Sequence, residues 1–233
     1  MGSIYNRTEI LLGKENINIL KQKHVMICGI GGVGSYTLEA LARIGIGKIT
    51  IIDKDTIDIT NINRQLLALH STIGKDKVQV AKERITDINS EIIVDAMKFD
   101  INKNNIEELL LNKNIDYVVD CVDNVEAKIS IIETCNKNNI KCISCMGTAN
   151  KIDPLELKIS DIYKTNTCPL AKIIRKKLKE INIRKQKVLF STELPKKNSI
   201  ESTLGSVSFV PSVAGLILAS EVVKDLIEVN IYK

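Results

Sequence analysis

Asn61, Arg64 and Gln65 stand together in "NINRQ", and Lys77 follows in "GKDK" at the start of a helix-like run. These are side chains that can hold a polyphosphate. Arginine and lysine beside a triphosphate neutralise charge that develops on its oxygens. "VVDCVDNVEAK" then places Asp120 and Asp123 at the C-terminal end of a strand-like run. A carboxylate beside phosphates is a natural Mg²⁺ ligand, because Mg²⁺ prefers oxygen and usually takes one or two carboxylates. Upstream, "CGIGGVGSYTLEALARIGIGKITIID" reads as strand, glycine turn, helix, strand and acid. Gly29, Gly31 and Gly34 satisfy G-x-G-x-x-G: the first permits a tight turn, the second lets phosphates approach the backbone, and the third packs helix on strand. Gly32 leaves a further amide open to phosphate. Asp53 ends the next strand about 20 residues on, where a carboxylate suits ribose hydroxyls. The glycine stretch alone fits a dinucleotide used for hydride transfer as well as ATP. The polar and cationic set after it has no use in hydride transfer and weighs toward ATP.

The runs that must position these residues alternate in type. "HVMICGI", "KITIID", "EIIVDAMKF", "DYVVDCV" and "KCISCMG" read as strands, with the helices "GSYTLEALARIGI", "KVQVAKERITDIN", "NIEELLLNK" and "EAKISIIETCNKNN" between them. Such alternation implies an α/β fold, a doubly wound, Rossmann-like, mostly parallel sheet. It covers residues 1–150, the nucleotide-binding core. Residues 151–233 form a C-terminal extension of the same single domain. There "LELKI" and "KQKVLFST" are strand candidates, "CPLAKIIRKKLKEI" is a helix with proline near its start, "ELPKKNSIESTLGSVS" is loop, and "VAGLILASEVVKDLI" is a closing helix.

The chain has 233 residues, 44% of them hydrophobic, enough for a sizeable core. Lys and Arg number 33 against 28 Asp and Glu, a charge of +5 that permits a polyanionic partner without demanding one. The six cysteines and the lack of a signal pattern in "MGSIYNRTEI" lead us to expect free thiols in a reducing cytoplasm. No run has the roughly 18–20 apolar residues of a membrane span; "VPSVAGLILASEVV" reads as a buried helix. From Lys172 to Lys187 there are eight basic residues and one acid, Glu180. Ile173, Ile174, Leu178 and Ile181 mark an apolar helix face, and Lys172, Arg175, Lys176 and Lys179 spread over the rest. Cations arranged this way bind nucleic-acid phosphates without reading sequence; taken alone, the run fits a solvated surface helix better. Aromatics are only 3%, so base stacking is not expected to dominate recognition.

"GIGGVGS", "DKDTIDITNINRQ", "GKDK" and "DCVDN", in this order and spacing, resemble the adenylating domain of the ubiquitin-activating superfamily, which includes bacterial activators of sulfur-carrier proteins. The resemblance implies ATP and Mg²⁺. Asp53 would hold the ribose, Asn61, Arg64 and Lys77 would surround the phosphates, and Asp123 would hold the metal. Gly29, Gly31, Gly32, Gly34, Asp55, Gln65 and Asn124 complete the nucleotide-binding set within the same motifs. Arg7, in "YNR", resembles an arginine that reaches the triphosphate of the other subunit, which implies a homodimer. Arg7, Arg64, Lys77 and Asp123 are thus the implied catalytic residues. In this chemistry a substrate carboxylate attacks the α-phosphorus of ATP and pyrophosphate leaves. Neither His24, before the first strand, nor His70, in a loop, is needed as a base, because a carboxylate is already ionised at neutral pH.

Sulfur-carrier activators usually carry two C-x-x-C pairs that bind zinc. Here only Cys142 and Cys145 form such a pair, so zinc is not expected. Cys168 precedes a proline at a helix start and reads as a packing residue. "CMGTANKIDPLELKISDIYKTNTCPLAKIIRKKLKE", "VLFSTELP" and "LGSVSFVPSVAGLILASEVVKDLI" resemble one branch of the superfamily, which dehydrates threonylcarbamoyladenosine in tRNA. That resemblance implies such a tRNA as substrate, activated at its threonylcarbamoyl carboxylate and then cyclised with loss of AMP. An intramolecular second step requires no thioester cysteine. Sulfur-relay proteins are partners of some family members. The competing readings are an activator of a ubiquitin-like sulfur carrier, a nicotinamide dehydrogenase, and a nucleotide-binding partner protein without catalysis.

Overall fold

A computed structural model describes residues 3–196 and 204–228. Its elements in chain order are α1 (Asn6–Leu12), α2 (Lys14–Lys21), β1 (His24–Cys28), α3 (Gly34–Ile44), β2 (Lys48–Ile52), α4 (Lys77–Ile88), β3 (Ile93–Met97), α5 (Ile106–Leu111), β4 (Tyr117–Asp120), α6 (Val125–Lys137), β5 (Lys141–Cys145), β6 (Leu157–Asp161), α7 (Pro169–Glu180), β7 (Lys187–Ser191) and α8 (Phe209–Ile227). One seven-stranded sheet runs β3-β2-β1-β4-β5-β7-β6. Neighbouring strands pair in parallel except β6, which lies antiparallel to β7. The expected strands and helices of the first 150 residues are all present, and both later strand candidates join the same sheet. Of the polar stretch expected as loop, residues 197–203 lie outside the described residues.

Strand order reverses between β1 and β4, and a doubly wound sheet opens its ligand crevice at such a point. β1 is buried along its whole length and alternates between two cores. Val25 and Ile27 face the core packed by α2, α3 and α8, while Met26 and Cys28 face the one packed by α5 and α6. The closing helix begins at Phe209, earlier than its apolar run suggested, and lies on α3, where Thr37 Oγ1 donates to Gly215 O at 3.0 Å. Among the described residues, no helix is long and apolar enough to cross a membrane.

Two details of α7 correct the sequence reading. Its buried face is Ala171, Ile174 and Leu178, whereas Ile173 and Ile181 are 47% and 37% exposed. A helix buries positions i, i+3 and i+7 together, and the small Ala171 belongs to that stripe. Arg175 does not join the outward cations. Its Nη1 donates to Thr165 O at 2.9 Å and Thr165 Oγ1 at 2.7 Å, tying down the segment before the helix.

His24 opens β1 and is buried, and His70 lies in a 3₁₀ turn rather than an open loop. His24 Nδ1 lies 2.9 Å from Lys113 O and Nε2 2.8 Å from Thr50 Oγ1. A carbonyl only accepts, so Nδ1 carries the proton and Nε2 accepts from the threonine. Burial pushes the His24 pKa below that of a free histidine. The unfolded chain therefore takes up a proton first as pH falls through about 6.5, and stability drops from there down to the folded pKa. His24→Gln is expected to remove on the order of 1 kcal/mol of the difference between pH 7.5 and 5.5. Urea midpoints at the two pH values check this; the same pH dependence in both proteins would refute it.

Candidate functional site

The crevice at the C-terminal ends of β1 and β4 is a cavity of about 790 Å³. Its floor is the glycine turn. Gly29 has φ +82°, and a side chain there would press on the Cys121 backbone at 3.0 Å. A Cβ on Gly34 would lie 1.9 Å from Gly29 O, so only glycine lets α3 start this close to the turn. Gly29, Gly31 and Gly32 line the cavity; Gly34 packs behind it.

Asp53, at the end of β2, holds the turn in place. Its Oδ2 accepts from Ile30 N at 2.8 Å and its Oδ1 from Asp55 N at 2.9 Å. Lys77 comes to the same point from the first turn of α4. Its Nζ is 2.9 Å from Asp55 Oδ2 and 3.8 Å from Asp53 Oδ1, and its side chain is only 6% exposed. Asp58 caps the turn Ile59–Asn61: its Oδ1 accepts from Thr60 N at 2.8 Å, and Asn61 Oδ1 accepts from Asp58 N at 3.2 Å. That reciprocal cap spends the Asn61 oxygen on the turn and fixes the direction of the next residues. Arg64 is half-buried and donates from Nη1 to Thr60 O at 3.0 Å and Asn63 Oδ1 at 2.8 Å. Gln65 is buried at the cavity wall, and among the described residues its Oε1 has no hydrogen-bond partner. A buried amide oxygen of this kind is available to a bound donor.

The opposite wall comes from β4 and β5. Asp123 is exposed and lines the cavity. Asn124 lines it too, and its Oδ1 accepts from Ala127 N at 2.9 Å as the N-cap of α6. Asp120, read with Asp123 as a candidate metal ligand, belongs elsewhere. It is fully buried, and Lys128 Nζ donates to its Oδ2 at 2.7 Å and to Cys145 O at 3.0 Å. Burial pushes the Asp120 carboxyl up, and the Lys128 ammonium pulls it back. The pair ties the end of β4 to the end of β5 beneath the cavity. Lys128 was absent from the sequence-derived set; one turn into α6 it has the look of an ordinary helical lysine.

The "MGTANKID" stretch supplies Met146, Gly147, Thr148 and Ala149 to the wall. Asn150 then stitches it to the polar segment, with Asn150 N donating to Gly205 O at 2.8 Å and Gly205 N to Asn150 Oδ1 at 2.7 Å. Leu204, Ser206 and Pro211 complete this side. Cys168 is buried among Ile132, Met146, Ala171 and Ile174. Burial pushes the Cys145 thiol up to about 12 and those of Cys28 and Cys121 above their ordinary value, and a hydrogen bond with Cys142, with burial, raises that of Cys135. Lys172, Lys176 and Lys179 are exposed on α7, away from the cavity lining. Arg7 is exposed on α1 and does not line the cavity of its own chain.

The wall therefore carries backbone amides, a clustered cation, a half-buried guanidinium and an exposed carboxylate around one crevice, an arrangement that suits a nucleoside polyphosphate. The ThiF family profile matches residues 5–232. The chain is 43% identical to the tRNA threonylcarbamoyladenosine dehydratase of Bacillus subtilis, covering 96% of this chain and 94% of that protein. It superposes on the solved structure of the Escherichia coli tRNA N6-threonylcarbamoyladenosine dehydratase in complex with ATP with a TM-score of 0.90 and 32% identity, covering 96% of this chain and 93% of the other. The structure of the same enzyme in complex with AMP also gives a TM-score of 0.90, at 33% identity and with 95% and 93% of the two chains covered.

Proposed function

The chain belongs to the ThiF family, and from that membership we propose that it adenylates the threonylcarbamoyl carboxylate of a modified adenosine in tRNA and closes the ring with loss of AMP. One observation carries this reading: the relatives matched over nearly their whole length bear that activity in their names, and one of them is solved with ATP. The sulfur-carrier reading is not favoured. The ubiquitin-like modifier-activating enzyme 5 of Drosophila mojavensis matches over only 56% of this chain and 36% of its own length.

In the first step a carboxylate oxygen bonds to the α-phosphorus and pyrophosphate departs. In the second a nitrogen of the same modification attacks the acyl carbon, and AMP departs, for a net loss of one water. The amides at Gly31 and Gly32 and the Lys77 and Arg64 cations take the phosphate charge. Asp53 sits where a ribose hydroxyl would donate, and Asn61, Gln65, Asp55 and Asn124 shape the wall around the nucleotide. Asp123 suits Mg²⁺, which takes one or two carboxylates beside substrate phosphates and neutralises their charge. Residues 1–233 act as one adenylating unit, the extension completing the sheet and the cavity wall around the core of residues 1–150. Lys172, Lys176 and Lys179 face the tRNA, and Arg175 holds the loop before them.

Arg7 acts in a homodimer, reaching the triphosphate of a second copy. The exposure of Ile10 and Leu11 on the same helix, 87% and 83%, supports an apolar partner there. Light scattering of Ile10→Glu against the wild type tests that. The site of action is the cytoplasm, where tRNA is found, and sulfur-relay proteins are the partner class to seek by co-purification.

The decisive assay is ATP–pyrophosphate exchange with Mg²⁺ and threonylcarbamoylated tRNA, followed by mass spectrometry of the nucleosides. Loss of one water from the modified adenosine, only with ATP, is expected; ATP turnover with unchanged tRNA would overturn the dehydratase reading. Because ring closure is intramolecular, Cys168→Ala is expected to keep dehydration within about twofold of wild type. Abolition of the second step with adenylation intact would point instead to a covalent thioester.

A further inference from the structure

A second concavity, of about 450 Å³, lies at the far end of α7 and is lined by Tyr163, Lys179, Asn182, Ile183 and Arg184. Its size falls in the range of small-ligand sites. Tyr163 is held in place, its hydroxyl donating to Ile183 O. Burial raises the Tyr163 phenol, so it stays neutral. Lys179 and Arg184 are both exposed on the rim. Helix α7 connects the two cavities. Leu170, in its first turn, lines the adenylating crevice, and Lys179 in its last turn lines the second concavity, ~14 Å away along the axis. Lys172, Lys176 and Lys179 stand at i, i+4 and i+7, on one face between them. Among the described residues no carboxylate lies within 4.0 Å of any of these lysines or of Arg184, although fourteen ion pairs form elsewhere. Surface cations left uncompensated in a row, ending at an aromatic pocket, suit a nucleic-acid strand: phosphates along the row and one base at its end.

We propose that this concavity is a second tRNA contact, taking one nucleotide of the strand that runs along α7 away from the modified adenosine. The phosphate lies between Lys179 and Arg184, and the base rests against Tyr163 and Ile183. The inference rests on the proposed action on tRNA and adds the place where the strand is anchored beyond the reacting base.

The test measures affinity of the full chain for fluorescently labelled threonylcarbamoylated tRNA across salt concentrations, with ATP binding measured separately by calorimetry. Arg184→Ala, which removes an exposed side chain, is expected to lower the slope of log K against log salt by about 0.7. Tyr163→Ala is expected to weaken tRNA binding about tenfold, and Tyr163→Phe to restore most of it. ATP affinity should be unchanged in all three. Wild-type affinity and slope in both Arg184→Ala and Tyr163→Ala would overturn the proposal while leaving tRNA as substrate. Failure of the wild type to bind tRNA at any salt would overturn both.

Discussion

Replacing Lys77 by methionine is expected to slow ATP–pyrophosphate exchange about 10²–10³-fold, the usual loss when one preorganised charge-stabilising donor is removed. Methionine keeps most of the stem and removes only the charge. The ammonium lies 2.9 Å from Asp55 and 3.8 Å from Asp53, in a side chain that is 6% exposed, so its position is set before any phosphate arrives. Charge held that way strengthens as negative charge builds on departing pyrophosphate. The loss should therefore fall mainly on the exchange rate, with a smaller change in ATP affinity. Lys75→Met is the control. It is an exposed lysine two residues earlier that does not line the cavity, and its activity should stay within about twofold of wild type. Equal losses in the two variants would mean that overall charge, not a placed cation, drives the reaction, and Lys77 would lose its assigned role.

Much of this site was legible because its parts are local. Gly29 to Asp53 is one strand–turn–helix–strand unit, and its glycines are demanded by contacts within that unit, such as Gly34 against Gly29 O. Asn61 ends a capped turn, and the amides of Arg64 and Gln65 just after it both donate to Asn61 O, so their spacing already places them together. Illegible features depend on what lies across the fold. Nothing near Lys128 says that Asp120 and the Cys145 carbonyl will meet it in a dry interior. Arg175 reads as one more outward cation until the Thr165 carbonyl and hydroxyl are seen beneath it. The apolar period of α7 was visible, but large side chains drew the stripe toward Ile173 and Ile181 and away from Ala171, whose size hides its burial. The direction of β6 also had to come from the structure, since an alternating pattern is the same for parallel and antiparallel neighbours.

Lys128→Met is expected to destabilise the fold by about 3–5 kcal/mol at neutral pH, because it leaves a carboxylate in the interior without its cation. Asp120 and Lys128 are both 0% exposed, and water cannot replace the lost partner. The sign with pH follows from the carboxylate. Burial already pushes Asp120 upward, and removing Lys128 takes away the largest opposing influence. With its folded pKa raised above the unfolded value of about 3.9, the deficit is small at low pH and grows as pH rises from there toward the folded pKa. Urea midpoints at pH 5 and pH 8 should therefore differ more from wild type at pH 8. Asp120→Asn combined with Lys128→Met removes the charge and should recover part of the loss. The same pair joins β4 to β5, whose ends carry Asp123 on one side and the Met146–Ala149 wall on the other. ATP affinity of the single variant should then fall along with stability and be partly regained in the double variant. A single variant with wild-type midpoints at both pH values would show that Asp120 is neutral in the native protein, and that the tie beneath the cavity is a hydrogen bond and not a charge pair.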